Sequence, residues 1–133
     1  VLNSSARTAQ QAAESLNTEV GSIVKSLLFK TESGFVLCLV SGDKRCSLNK
    51  LKKIKNQKDV SMANPDQVNE ITGFTIGGVS PVGHLKPLEI YIDEELSRFK
   101  NIYAAAGHPN CIFKIDFDNL TKITKGAVKN ITE

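Results

Sequence analysis

The sequence predicts a single mixed α/β domain, a partly barrel-shaped sheet with short surrounding helices, and three observations predict it. Segments of strand character at 23–29, 35–40, 88–92, 102–106 and 111–115 alternate with short stretches of helical period. The chain has 133 residues, 41% of them hydrophobic and 23% charged, which suits one domain with a real core. Two glycine-bearing loops, 77–84 and 107–110, lie between apolar segments, as loops presented by a scaffold do.

Taken in order, Val1-Leu2 reads as the end of a strand. Thr8 and Gln11 have capping-box spacing, and Ala9, Ala12, Ala13 and Leu16 then form a narrow apolar helix face. Such small residues imply close packing on a sheet. Gly21 ends the turn, and the period changes to two. One strand face over 23–29 carries Ile23, Lys25, Leu27 and Phe29. An unpartnered ammonium in that row is costly to bury, so Lys25 is expected to reach a cleft, a carboxylate or an anionic ligand. A lysine snorkelling from the sheet edge is the alternative. Lys30 to Gly34 is a hairpin connection, and Phe35 to Val40 reads as a central strand covered on both faces. Between Lys44 and Lys58 the basic residues Arg45, Lys50, Lys52, Lys53 and Lys55 surround a thin stripe of Leu48, Leu51 and Ile54. This is a helix with a basic outer face, either simply solvated or in contact with phosphates.

Asn64-Pro65-Asp66-Gln67 starts a helix with a capping box, Val68 and Ile71 face inward, and Gly73 stops it. Phe74-Thr75-Ile76 is a strand-like lead into the first glycine loop. Leu88, Ile90 and Ile92 alternate with Glu89 and Tyr91, a half-buried strand. Asp93-Glu94-Glu95-Leu96 begins one helical turn. Two more strands flank Gly107-His108-Pro109-Asn110. Asp116 caps a last helix to about Lys125, with Leu120 and Ile123 inward, and Val128 to Ile131 adds an edge strand.

Composition narrows the function. A net charge of +3 does not by itself indicate a nucleic-acid binder. Cys38, Cys46 and Cys111 lack CxxC spacing and fit free thiols in a reducing cytoplasm. No apolar run approaches the roughly 20 residues of a membrane span, and no signal peptide is visible. His84, His108 and three scattered cysteines do not make a zinc site, so no metal and no cofactor is expected. There is no GxSxG elbow to make Ser80 a nucleophile, and no Walker or Rossmann pattern. The loop at 77–84 can therefore be a tight turn or a site whose amides hold a carbonyl, with a lysine able to hold phosphate.

Five blocks carry a more specific signal: Ser5-Ala6-Arg7-Thr8-Ala9-Gln10, Ile23-Val24-Lys25-Ser26-Leu27, Val40-Ser41-Gly42-Asp43-Lys44-Arg45, Gly77-Gly78-Val79-Ser80-Pro81-Val82-Gly83-His84 and Ala104-Ala105-Ala106-Gly107-His108-Pro109-Asn110. In this order they resemble the YbaK family of aminoacyl-tRNA deacylases, which includes the editing domain inserted in many bacterial prolyl-tRNA synthetases. The resemblance covers nearly the whole chain. Free-standing members begin with a further helix and strand, so an N-terminal piece is expected to be missing here.

The resemblance implies a YbaK-like fold and hydrolysis of the ester joining a wrong amino acid to tRNA, of the Cys- or Ala-tRNA(Pro) type. It implies a water nucleophile assisted by the terminal ribose hydroxyl, without metal or covalent intermediate. The family's lysine matches Lys25, its GxxxP loop matches Gly77, Gly78, Val79, Ser80 and Pro81, and its GHPN-type loop matches Gly107, His108, Pro109 and Asn110. The backbone of Gly77 to Ser80 is expected to hold the carbonyl, and Lys25 the terminal phosphate or ribose. Asp43 is expected to orient Lys25, and Leu27 and Val79 to line the amino-acid pocket. Gly107 and His108 are expected to form the opposite wall, and the basic helix to meet the acceptor stem. Aminoacyl-tRNA, and with it a prolyl-tRNA synthetase, are the implied partners, with no membrane. The competing reading is a non-catalytic tRNA- or synthetase-binding module of the same fold. No role is assigned to His84.

Overall fold

The computed structural model describes residues 9–76, 78–108 and 111–133, with His108 described through its backbone alone. The expected strand end at Val1-Leu2, the Thr8 cap, Gly77, Pro109 and Asn110 lie outside the described residues.

Strand β1 (Val24–Thr31) and strand β2 (Gly34–Ser41) form the expected antiparallel hairpin. Its register sets Lys25 opposite Val40, Leu27 opposite Cys38 and Phe29 opposite Val36. Directly opposed residues share a face. One face is therefore Lys25, Leu27, Phe29, Val36, Cys38 and Val40, and the other carries Val24, Leu28, Leu37 and Leu39. Helix α1 (Ala9–Leu16) lays Ala12 and Ala13, both buried, against Ile23, as its small residues require.

Between β2 and the next long strand come helix α2 (Leu48–Lys55), the two-residue strand β3 (Ser61–Met62) and helix α3 (Pro65–Thr72). Ser47 caps α2 and Asn64 caps α3, the latter with Gln67 in a complete capping box. Strand β3 pairs with the far end of β1, through Phe29 and Lys30, and nothing in its two residues signals it. Strand β4 (Glu89–Asp93) runs parallel to β2, and β7 (Ala127–Lys129) parallel to β4, giving the sheet order β3-β1-β2-β4-β7. Because β4 has a neighbour on each side and is covered on both faces, Tyr91 is buried rather than half-exposed.

The remaining hairpin, β5 (Ile102–His108) with β6 (Cys111–Ile115), is a second sheet. A parallel bridge between Ile23 and Tyr103 ties it to the start of β1, so the expected partial barrel is a five-stranded sheet with a hairpin joined at one corner. Helix α4 (Phe117–Thr124) is capped by Asp116 and buries Leu120. Ile123, expected inward, is 48% exposed, opening on a surface cavity that it lines together with residues 81–88.

Two apolar clusters sandwich the large sheet. Val24, Leu28, Leu37 and Leu39 meet α3, α4 and the hairpin on one side. Phe29, Val36, Cys38 and Val40 meet Leu51 of α2 and Ile131 of the tail on the other. The tail is held by Asp93, fully buried, which accepts from Ile131 N at 3.1 Å, Thr132 Oγ1 at 3.0 Å and Glu95 N at 3.3 Å.

Candidate active site

The face of β1 that carries Lys25, Leu27 and Phe29 forms the floor of a cavity of about 610 Å³. Gly42 to Cys46, from the turn after β2, make one wall, and Leu48 and Met62 complete the lining. That turn is firmly placed. Cys46 bridges Thr132, and Ser47 N donates to Ile131 O at 2.7 Å. Lys25 Nζ donates to the carbonyl of Lys44 at 2.6 Å, which leaves two of its three N–H groups for a ligand. Lys25 thus reaches a cleft, as its place in an apolar row predicts. Burial pushes its pKa below the ordinary lysine value, and the nearby Cys46 and Asp43 only partly offset this.

Asp43 makes its hydrogen bonds elsewhere. Arg98 Nη2 donates to its Oδ1 at 3.0 Å, and Ser41 Oγ does so at 2.8 Å. Burial raises the Asp43 carboxyl, yet those two hydrogen bonds outweigh it and hold the group below the usual carboxylate range. Its influence on Lys25 is one of charge, not contact. Arg98 also lies 4.8 Å from the centre of the Phe99 ring, which fixes its guanidinium against the turn. With Asp43 matched by Arg98, the rim is left cationic through Lys25, Lys44 and Arg45, although Lys44 also pairs loosely with Glu95 at 3.8 Å.

The first glycine loop is built differently. Helix α3 ends with Gly73 at φ 83°, where an added Cβ would meet Leu85 at 2.7 Å. From there to Leu88 the described residues form no strand, so Phe74-Thr75-Ile76 is a turn rather than a strand-like lead. Gly78 N donates to Thr75 O at 3.0 Å, and its amide is therefore spent inside the loop. Val79 is buried in the core beside Val24 and Ala104, not in the Lys25 cavity. Ser80 is also buried, and its hydroxyl accepts from Val82 N at 3.3 Å. His84 Nε2 donates to the Ser80 carbonyl at 2.7 Å, so this histidine props the loop and does not activate the serine.

Phe74 joins the two glycine loops. Its ring meets His84 edge-on, with centroids 6.1 Å apart, and an added Cβ on Gly107 would lie 3.1 Å from it. Gly107 has φ 94°, a conformation that glycine alone adopts easily. Pro81 faces a second cavity of about 390 Å³ with residues 82–88, Ile90, Ile123 and Thr124.

Of the site residues expected from sequence, Lys25, Leu27 and Asp43 therefore meet at one cavity. Gly78, Val79 and Ser80 lie in a separate loop whose core contact is on the opposite face of β1. Between the Tyr103 bridge at Ile23 and the β3 pairing at Phe29, the edge of β1 around Lys25 to Leu27 has no strand partner among the described residues. Ser26 sits there with a buried hydroxyl that has no hydrogen-bond partner among the described residues. Sequence reasoning missed Phe74, Arg98, Cys46 and Met62 as parts of this region. Arg98 stands 55 residues from Asp43, and no local pattern could pair them. In the basic helix, Lys50 donates to Asn130 Oδ1 at 2.9 Å and to the Thr132 carbonyl, and Lys55 pairs with Glu89. These two lysines hold the helix to the sheet and tail. Among the described residues, no group of three or more His, Cys, Asp or Glu could hold a metal ion, and no helix is long and apolar enough to cross a membrane.

Residues 3–123 match the family model described as an aminoacyl-tRNA editing domain. The chain is 32% identical to a proline–tRNA ligase of Caldicellulosiruptor saccharolyticus over 96% of this chain and 22% of the ligase. It is 30% identical to a proposed Cys-tRNA(Pro)/Cys-tRNA(Cys) deacylase, EbsC, of Enterococcus faecalis, over 94% of this chain and 77% of that protein. A crystal structure of a proposed trans-editing enzyme for prolyl tRNA synthetase superposes with a TM-score of 0.95 at 42% identity, covering 99% of this chain and 83% of that one. The chain spans about a fifth of the length of the curated ligases it matches.

Proposed function

The chain belongs to the YbaK-type aminoacyl-tRNA editing domain family, and we propose that it hydrolyses mischarged aminoacyl-tRNA of the Cys-tRNA(Pro) or Ala-tRNA(Pro) type. The observation that carries this reading is Lys25, an ammonium held half-buried on the apolar floor of a cavity with a cationic rim. That combination suits the 3′ end of a charged tRNA. The phosphate or ribose oxygens take the free N–H groups of Lys25, and the small side chain of the amino acid lies along Leu27.

In the proposed reaction, water attacks the ester carbonyl, a tetrahedral oxyanion forms, and the ribose oxygen departs with a proton. The assisting group is the neighbouring ribose hydroxyl. Backbone amides at Gly77, Val79 and Ser80 hold the carbonyl oxygen, a task that preorganised donors perform with little reorganisation. Gly78 contributes conformation instead, because its amide already serves Thr75. The ligand would reach that loop past the unpaired edge of β1. Gly107 is set against the glycine loop through Phe74, on the side that we assign to the facing wall. Lys44 and Arg45 at the rim, with Lys52, Lys53 and Lys58 beyond, meet the acceptor stem, and the reaction belongs in the cytoplasm beside a prolyl-tRNA synthetase.

Pockets separate small apolar side chains by only about 1–3 kcal/mol per methylene, so the amino acid must be found by assay. Proline, alanine and cysteine tRNAs charged with Cys, Ala or Ser provide the panel. Release of Cys or Ala from proline tRNA above the buffer rate is expected. Failure to hydrolyse any of them would overturn the reading and favour a binding module.

A further inference from the structure

The wall of the Lys25 cavity contains a thiol pair that the proposed hydrolysis does not use. Leu27 on the floor lies opposite Cys38 in the β1–β2 register, so Cys38 sits on the same face, beside the cavity and fully buried. Cys46 lines the cavity itself, and Cys38 and Cys46 pack in one apolar cluster. Cys46 is thus reachable from the cavity, and Cys38 is reachable only through Cys46. No other cysteine shares the cluster: Cys111 lies in β6 of the separate hairpin.

We propose that Cys38 and Cys46 are a reversible oxidation site, where a hydroperoxide closes a disulfide in the cavity wall and slows deacylation while the bond persists. The claim about deacylation rests on the function proposed above. The claim about the bond does not.

The chemistry balances without a further reagent. The Cys46 thiolate attacks one peroxide oxygen, the O–O bond breaks, and the other oxygen leaves as water after taking a proton. Cys46 is then a sulfenic acid. The Cys38 sulfur attacks it, the S–O bond breaks, and the departing hydroxide takes the Cys38 proton to form a second water. Two thiols have lost two electrons, and the peroxide has gained them. The surroundings assign the order of attack. The neighbouring Cys38 thiol lowers the Cys46 pKa below that of an ordinary thiol, against the effect of burial, and Lys25 adds attraction. Interaction with Cys46, together with burial, raises Cys38. Cys46 is the attacking thiol and Cys38 the resolving one.

The link to Lys25 is short. Cys46 is two residues from Lys44, whose carbonyl receives Lys25 Nζ. A disulfide brings two sulfurs to about 2.05 Å, closer than any packing contact between free thiols, so Cys46 must move towards β2. The turn carrying the Lys44 carbonyl moves with it, and the nearby thiol charge that favours the Lys25 ammonium is lost.

The test uses the full chain, reduced and then treated with hydrogen peroxide, which catalase removes before assay. Peptide mapping should find Cys38 joined to Cys46, the pair about 2 Da lighter, and dithiothreitol should reverse it. Deacylation of Ala-tRNA(Pro) should fall on the order of tenfold, as expected for a slightly misplaced binding group, and recover on reduction. Acylation of Lys25 by an amine-directed reagent should change in rate in parallel, which reports the switch without any tRNA. Cys38→Val should keep basal activity and show none of these responses, and Cys38→Ala serves if valine is not tolerated. Cys46 oxidised to sulfinic acid beside a free Cys38 would overturn the proposal. So would a crosslink that leaves both Lys25 labelling and deacylation unchanged. If no charged tRNA is hydrolysed, mapping and labelling still decide the thiol claim, and only the hydrolase reading falls.

Discussion

The Lys25 cavity and the glycine loop at 73–88 solve the same problem, holding polar groups in an apolar setting, by opposite means. The cavity floor is ladder-paired strand, in which alternation alone places Lys25, Leu27 and Phe29 side by side. The loop has no ladder among its described residues. It is shaped by side chains that fill the place of strand partners: His84 on the Ser80 carbonyl, Leu85 against Gly73, and Phe74 between His84 and Gly107. A charge carried on the strand can therefore be changed with little harm to the fold, whereas the loop depends on remote props. What looks like the more decorated site is the more fragile one.

Three changes can break or sharpen this contrast. The largest effect is expected at Asp93, outside both regions, because it ties down the tail that braces the cavity wall. Asp93→Ala leaves three donors without their acceptor in the interior, and a loss of about 3 kcal/mol or more is expected in urea unfolding. Next comes Phe74→Ala, which removes the ring between the loops. A half-buried aromatic should cost about 2 kcal/mol, less than the 3–5 typical of full burial, and deacylation should fall while Lys25 labelling stays normal. Unchanged activity would mean that the loops are placed by something other than Phe74. The smallest effect concerns Asp43 and Arg98. Asp43 has a folded pKa below its unfolded value, so its contribution is present above that value and is lost as pH falls through the folded one. Arg98→Leu should flatten that acid limb by less than about 1 kcal/mol, since the pair is solvent-screened. An acid limb identical to that of the unaltered chain would contradict the assigned pairing.

What was legible in the sequence follows the same division. The odd lysine in an apolar row correctly announced a cleft, because strand period fixes which side chains share a face. Capping at Asn64 and Asp116 was equally local, and both caps form. The loop was recognised by composition and by resemblance, but its construction was not readable. Phe74 looked like part of a strand, Ile123 like a core residue, and Asp43 like the partner of Lys25. Each depends on neighbours distant in sequence, His84 and Gly107 for Phe74, the cavity of residues 81–88 for Ile123, and Arg98 for Asp43. Likewise the basic run read as one surface, although Lys50 and Lys55 are structural.

The central claim is that Lys25 serves the substrate rather than the fold, and Lys25→Met measures it most directly. Burial lowers the Lys25 pKa below the ordinary lysine value, so its charge carries a stability cost near neutral pH that is relieved as pH rises through the folded value. The variant should therefore unfold within about 1 kcal/mol of the unaltered chain, or slightly above it. Deacylation of mischarged proline tRNA should fall by about a hundredfold or more. Full turnover by a folded Lys25→Met chain would contradict the account.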